Sequence, residues 1–133
     1  MRDFKTLVQS ATAARSNAYA PYSDFAVGAA ILDKDGKIHM GCNVENAAYP
    51  QGQCAEASAI GAMIVAGGKR VAAIAIAGSE GGTPCTPCGG CRQRIREFSS
   101  PDTPIFIAAG NKIVAEYTLA ELLPHSFGPE HLG

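Results

Sequence analysis

The sequence lacks an excess of charge of either sign. Its 133 residues include 11 Lys and Arg against 12 Asp and Glu, which gives a formal net charge of −1, and the basic residues form no run. Proteins that bind nucleic acid usually carry a basic patch, because release of counterions from the phosphates supplies much of their affinity. The composition therefore predicts no nucleic-acid partner and favours a small neutral ligand.

Long apolar runs are missing as well. The first residues, MRDFKTLVQS, are charged and contain no segment of the length that a signal peptide or a membrane-spanning helix needs. We therefore expect a cytoplasmic protein with no membrane partner, in which thiols stay reduced. The five cysteines are an odd number, which is unfavourable for a closed disulfide framework. In such a compartment, clustered cysteines indicate metal binding or catalysis.

The chain shows no repeats and no long linker, so we expect a single domain over residues 1–133. Apolar residues recur at helical spacing near the start, two strand-like runs flank the turn DKDG (33–36), and an alanine-rich helix ends at the glycines 67–68. A strand, a third helix over 88–98, two strands and a short last helix follow. The order α-β-β-α-β-α-β-β-α predicts an α/β fold, a mixed five-stranded sheet with helices on both faces.

Three cysteines stand where helices are predicted to begin. Cys54 opens the second helix in QCAEAS, and Cys88 and Cys91 open the third in PCGGCRQ. The partial positive charge of a helix N-terminus favours thiolates. Three thiolates that converge on one point suit a zinc ion with one coordination position left open. Glu56 lies two residues after Cys54 and could reach that position as a proton carrier without being a ligand.

These motifs resemble the cytidine deaminase family in its small homotetrameric, zinc-dependent form. Cys-Ala-Glu, followed about thirty residues later by Pro-Cys-x-x-Cys, is similar to the signature of zinc deaminases that act on bases and nucleosides. The stretches APYSDFAVGAAI (20–31), GCNVENAAYPQG (41–52) and LLPHSFGPEHL extend the resemblance over nearly the whole chain. The resemblance implies the α-β-α sandwich of that family.

The resemblance also implies an activity, the hydrolytic deamination of cytidine and deoxycytidine to uridine and deoxyuridine in pyrimidine salvage. Cys54, Cys88 and Cys91 would hold one zinc ion per subunit. Glu56 would accept a proton from water and pass it to N3 of the base and then to the departing amine, which leaves as ammonia.

Substrate contacts follow from the same resemblance. Asn43 and Glu45 would hydrogen-bond the ribose hydroxyls, and a free base would leave these two groups unpaired. Phe25 would line the pocket against the base, and the backbone around Ala55 would read the edge of the base. Phe127 would cover the pocket of a neighbouring subunit, so that a homotetramer would share its active sites.

One position departs from the family pattern. The family commonly has an arginine directly after the catalytic glutamate, where this sequence has Ala57. A zinc ion with three thiolates has a formal charge of −1, which disfavours ionisation of water there. Hydrogen bonds from the family's arginine to the thiolates offset that charge. We expect the offset in this chain to be partial or supplied elsewhere, with Arg92 and Gln93 as candidate donors.

Other interpretations stay open at this point. A redox protein could use a Cys-x-x-Cys pair within CTPCGGC (85–91), and a zinc-stabilised scaffold without catalysis could take Cys85 as a fourth ligand. A sister deaminase could act on another aminopyrimidine nucleoside such as blasticidin S. We expect Cys85 to be a spare thiol in the loop. His39, His125 and His131 show no paired spacing and are predicted at the surface or in turns.

Overall fold

The structure is a computed structural model that describes residues 4–78 and 83–133. The predicted order of helices and strands is confirmed. The elements are α1 (Lys5–Arg15), β1 (Gly28–Asp33), β2 (Ile38–Cys42), α2 (Ala55–Val65), β3 (Val71–Ala77), α3 (Gly89–Glu97), β4 (Pro104–Ala109), β5 (Lys112–Thr118) and α4 (Leu119–Leu122), with 3₁₀ turns at Tyr49–Gln51 and Pro129–His131. Within the described residues, every helix is too short or too polar to span a lipid bilayer.

The strands form one mixed five-stranded sheet in the order β2-β1-β3-β4-β5. The pairs are antiparallel except β3 with β4, which run parallel because the chain between them crosses over through α3. The turn between β1 and β2 ends in Gly36, whose φ of 89° lies in the left-handed region that glycine adopts without steric cost. The predicted fold class is therefore confirmed.

Successive side chains of β3 point to opposite faces of the sheet, and the two sets differ in size. Ile74 and Ile76 belong to the apolar core beneath α2 and α3. Ala73 and Ala75 belong to the core beneath α1. Burying an isoleucine side chain contributes about 1.5–3 kcal/mol, so the face that carries α2 and α3 holds more apolar stabilisation at this strand. Those are the two helices whose first turns carry the cysteines.

The alanine face lets α1 approach the sheet closely. The apolar stripe of α1 is buried as predicted, with Leu7, Val8 and Ala11 each at most 2% exposed. A Cβ on Gly28, the first residue of β1, would lie 2.0 Å from the carbonyl oxygen of Ala11. Only glycine fits there, because that distance is far inside van der Waals contact.

A second glycine brings α2 onto β2. A Cβ on Gly41 would lie 2.3 Å from the amide nitrogen of Ala59 and 2.6 Å from the carbonyl oxygen of Ala55. The helix backbone therefore occupies the space in which a side chain at position 41 would stand. This contact fixes the first turn of α2 against the strand that leads into Asn43.

The prediction for His39 is wrong. Its side chain points inward from β2, only 7% exposed, and its Nε2 lies 2.7 Å from Oδ2 of the 1% exposed Asp33. Asp33 also accepts the backbone N–H groups of Asp35 and Lys37 through Oδ1, at 2.9 and 3.0 Å. Burial alone would raise the pKa of Asp33, but these hydrogen bonds outweigh it and the pKa lies below its ordinary value. This pair secures the turn end of the hairpin.

Candidate active site

Two helix N-termini bring three sulfur atoms together. Cys54 is the N-cap of α2, Cys88 is the N-cap of α3, and Cys91 lies in the first turn of α3. Their Sγ atoms all lie within 4.8 Å of one another. We call this group the three-cysteine cluster. The structure thus brings together the three predicted ligands, and Cys85 is not a member of the group.

The thiols of the three-cysteine cluster cannot all ionise without a cation between them. Burial raises the pKa of Cys91, and the negative charge of Glu56 raises it further. Burial also raises the pKa of Cys54. For Cys88 burial acts in the same direction, but hydrogen bonds donated by Cys91 and Cys54 outweigh it, and its pKa is lowered. A divalent cation would remove this conflict. Three soft sulfur donors within reach of one another fit zinc.

Glu56 lies beside the three-cysteine cluster in the first turn of α2 and is 4% exposed. Burial raises the pKa of its carboxyl group, and the positive charge of Arg94 opposes that shift in part. A carboxyl group with a raised pKa exchanges protons more readily near neutral pH than an ordinary glutamate does. Its position and its pKa direction both suit the predicted proton carrier.

The cluster and Glu56 border a cavity of about 350 Å³. That volume lies within the range of pockets that hold small molecules. Loops and helix ends from four segments of the chain supply the lining. The lining residues are Ser23, Phe25, Val27, Asn43, Glu45, Cys54, Ala55, Glu56, Cys85, Thr86 and Cys88. The predicted substrate residues Phe25, Asn43, Glu45 and Ala55 are all among them, while Cys91 is fully buried behind this surface.

Asn43 holds one wall of the cavity in place. Its Oδ1 accepts the backbone N–H of Val27 at 2.9 Å, and its Nδ2 donates to the carbonyl oxygen of Phe25 at 2.8 Å. The amide thus fixes the segment that carries the Phe25 ring. One N–H and one lone pair of Asn43 are left over from these two bonds.

Glu45 is anchored to the same wall. Its Oε1 accepts the backbone N–H groups of Tyr22 and Ser23 at 2.9 and 3.1 Å, and its Oε2 accepts the hydroxyl of Ser23. The hydrogen bond from the Ser23 hydroxyl is the largest cause of a lowered pKa at Glu45. The carboxylate therefore stays ionised and positioned at the edge of the cavity.

Phe127 lies outside the cavity of its own chain. Its side chain is 55% exposed, and its ring stacks on that of His131 with the centroids 5.2 Å apart. His125 and His131 are both exposed, as predicted. Phe127 is therefore not among the residues that line the cavity of its own chain.

Arg92 and Gln93 do not serve the sulfur atoms in the described part of the chain. Arg92 donates to the carbonyl oxygens of Pro87 and Leu122 at 2.7 and 2.8 Å. Gln93 donates to the carbonyl oxygen of Phe127 at 3.0 Å. These bonds tie α3 to the loop before Cys88 and to the C-terminal segment. The expectation that the two side chains supply donors to the thiolates is not met.

Several residues of the site carry no signal in the sequence. Ser23 and Thr86 line the cavity with hydroxyl groups, and Arg94 acts electrostatically on Glu56. Ser23 lies inside the stretch APYSDFAVGAAI, but only its hydrogen bond to Glu45 shows that it helps to position that carboxylate. Cys85, expected as a spare thiol in the loop, also lines the cavity. No spacing rule in the sequence distinguishes these residues from ordinary loop residues.

Comparison with known proteins agrees with this geometry. Residues 1–107 match the family model described as the cytidine and deoxycytidylate deaminase zinc-binding region. The chain belongs to this deaminase family. Within the described residues, the three-cysteine cluster is a group whose Sγ atoms lie close enough together to hold a metal ion.

Relatives of this deaminase chain match it along nearly all its length. The cytidine deaminase of Sporosarcina psychrophila is 41% identical over 130 residues, covering 98% of this chain and 95% of the relative. That of Halalkalibacterium halodurans is 40% identical over 130 residues, covering 98% of each. The crystal structure of cytidine deaminase from Burkholderia pseudomallei has a TM-score of 0.88 at 41% identity, covering 95% of this chain and 100% of that one.

Proposed function

We propose that this protein catalyses the zinc-dependent hydrolytic deamination of cytidine and deoxycytidine, with release of ammonia. The observation that carries the proposal is a buried carboxyl group, Glu56, beside three sulfur atoms at the wall of a cavity of small-molecule size. The relatives named cytidine deaminase, about 40% identical over nearly the whole chain, support the choice of substrate.

Cys54, Cys88 and Cys91 would hold the zinc ion. When bound, zinc supplies a Lewis acid that lowers the pKa of water to near neutrality. Glu56 accepts the proton of the water that adds to C4 of the pyrimidine and transfers it to N3. The carboxylate then takes the remaining proton of the hydroxyl group now on C4 and gives it to the amine. The bond between C4 and nitrogen breaks as the C4–O bond becomes a carbonyl, and ammonia leaves. The raised pKa of Glu56 suits both directions of proton transfer.

The opposite wall positions the nucleoside. Asn43 and Glu45 hydrogen-bond the ribose hydroxyls with the donors and acceptors that their bonds within the wall leave free. Phe25 packs its ring against the base, and the backbone around Ala55 reads the edge of the base. Because these groups would suit a 3′-hydroxyl, both the ribose and the deoxyribose form are substrates.

The active protein is a homotetramer with shared active sites. Tyr22 and Tyr49 are 50% and 74% exposed with their ring centroids 5.9 Å apart, so they form an exposed aromatic patch of the kind that marks an interaction site, and Phe127 is 55% exposed. Tyr49 and Tyr22 flank a second cavity of about 300 Å³ that also borders Glu45. A neighbouring subunit that covers the two tyrosine rings would close the ribose side of the active site. Phe127 of one subunit would cover the pocket of another.

The proposal also covers the domain organisation of the protein and its location in the cell. Residues 1–133 act as a single domain, since both apolar cores pack on the same sheet. The protein works in the cytoplasm, where reducing conditions keep the metal-binding thiols available.

The proposal is tested by the loss of cytidine absorbance with the purified, zinc-loaded protein. We expect turnover of cytidine and deoxycytidine, and a fall of about 10²–10⁴-fold in kcat for Glu56→Gln with its zinc content retained. Glu116→Gln, the same change at an exposed position of β5, serves as the control and should leave kcat unchanged. Absence of turnover by the wild-type protein on cytidine and deoxycytidine would overturn the proposal, and turnover of blasticidin S alone would favour the sister deaminase instead.

A further inference from the structure

Cys85 is the cysteine of the site for which the reaction gives no role. It is half-buried and lines the same cavity as Cys88 and Glu56, yet its sulfur is not part of the three-cysteine cluster. A residue in that position forms part of the wall that the substrate meets.

The backbone of β3 fixes where Cys85 stands. Gly78, buried directly after β3, has no side chain, and a Cβ on it would lie 2.6 Å from Cβ and 2.8 Å from Sγ of Cys85. The same Cβ would lie 3.4 Å from Cζ of Phe25. The Cys85 side chain therefore fills the space left by Gly78, a space that the aromatic ring proposed to contact the base also borders.

The Cys85 side chain makes this part of the cavity wall small, neutral and apolar. Burial raises the pKa of the Cys85 thiol, and the negative charges of Glu56 and Cys88 raise it further. A protonated cysteine behaves as a small hydrophobic residue. The wall thus suits a carbon or halogen substituent better than a charged or hydrogen-bonding one.

The pyrimidine ring offers only two positions to such a wall. N1 carries the sugar, C2 the carbonyl group, N3 receives the proton and C4 carries the amine that leaves, so that only C5 and C6 bear hydrogen. C5 is bonded to C4 and lies nearest the reacting end of the cavity. We propose that Cys85 is a specificity-determining residue that sets the size of the C5 substituent the enzyme accepts. This inference rests on the proposed function.

The test is the ratio of kcat/KM for 5-methylcytidine to kcat/KM for cytidine, measured on each variant. Because both substrates meet the same enzyme preparation, differences in folding or zinc loading cancel in the ratio. We expect Cys85→Ala to raise the ratio about tenfold and Cys85→Leu to lower it at least about tenfold, the range that one or two methylene groups give in an apolar pocket. Cys42→Ala, a cysteine that does not line the cavity, is the matched control and should leave the ratio unchanged.

Gly78→Ala provides a second variant that leaves Cys85 itself intact. Its new Cβ has to displace the Cys85 side chain, and we expect the ratio to fall as it does for Cys85→Leu. Wild-type turnover of cytidine with a ratio that stays within about twofold across all of these variants would overturn the inference and leave the proposed function standing. Absence of cytidine turnover by the wild type would instead overturn the proposed function, and this inference with it.

Discussion

The hairpin of β1 and β2 carries a buried polar group near each end, and the two groups behave differently. At the turn end, Asp33 and His39 lie 2.7 Å apart, and Asp33 accepts two further backbone N–H groups. At the other end the chain leads into Asn43 and the cavity, where Glu56 meets the three-cysteine cluster. The first group satisfies its own charges and hydrogen bonds. In the second group burial raises the pKa values of Glu56, Cys54 and Cys91, and the negative charge of neighbouring groups raises those of the two thiols further.

This difference separates a structural polar group from a functional one. A buried group that is fully paired within the chain stabilises the fold and has nothing left for a ligand. Where the members of a buried group repel one another, a cation or a substrate that enters relieves the repulsion. That relief contributes to the free energy of binding. Four expected outcomes test this contrast, the largest first.

Cys91→Ser should abolish the function of the second group. Cys91 is fully buried, and the hydroxyl of serine is a much poorer ligand for zinc than a thiolate. We expect zinc content, measured by elemental analysis, to fall from one ion per chain towards none, with loss of turnover. Cys42→Ser should keep both. Retention of zinc by the Cys91 variant would contradict the assignment of this cluster as the metal site.

Asn43→Ala should weaken the cavity wall and the ribose contact together. The backbone groups of Phe25 and Val27 would lose their partner, an effect of about 1–3 kcal/mol for buried groups, or roughly 5- to 150-fold in kcat/KM. Asn17→Ala, at an exposed position, is the control. A kcat/KM equal to that of the wild type would show that neither the wall nor the ribose depends on this amide.

Asp33→Asn should affect stability and leave chemistry alone. We expect a loss of about 1–3 kcal/mol in the free energy of unfolding in urea at pH 7, with kcat unchanged. The folded-state pKa of Asp33 is lowered, so its stabilisation is present above the ordinary aspartate pKa and is lost as the pH falls through the folded value. The difference between wild type and variant should therefore shrink below about pH 4. A difference that grew under acid would refute the charge argument.

Ala57→Arg should give the smallest effect. The new cation would add to whatever offsets the negative charge of the metal site, and we expect zinc affinity and kcat to rise by less than about tenfold. Chelator competition measures the first and cytidine turnover the second. Ala57→Met adds comparable length without charge and should change neither. If the arginine variant matches the wild type in both measurements, nothing was lacking at this position.

The sequence was sufficient for the fold and for the three-cysteine cluster because both depend on local rules. Helical spacing located α1, and the two motifs at helix starts located Cys54, Cys88 and Cys91. His39 could not be placed, because its partner Asp33 becomes close only when β1 pairs with β2. The same holds for Cys85, whose position depends on close packing against Gly78, a glycine that lacks the side chain that would fill this space.

The contact at Gly41 has a consequence for how this enzyme can change. Since the backbone of α2 rests directly on β2, a shift of either element carries the other with it. The strand end that leads into the Asn43 wall of the cavity and the helix start that bears Glu56 are therefore displaced as one body. Substitutions among the surrounding apolar side chains would change how firmly that body is held, while the spacing between Asn43 and Glu56 stays the same.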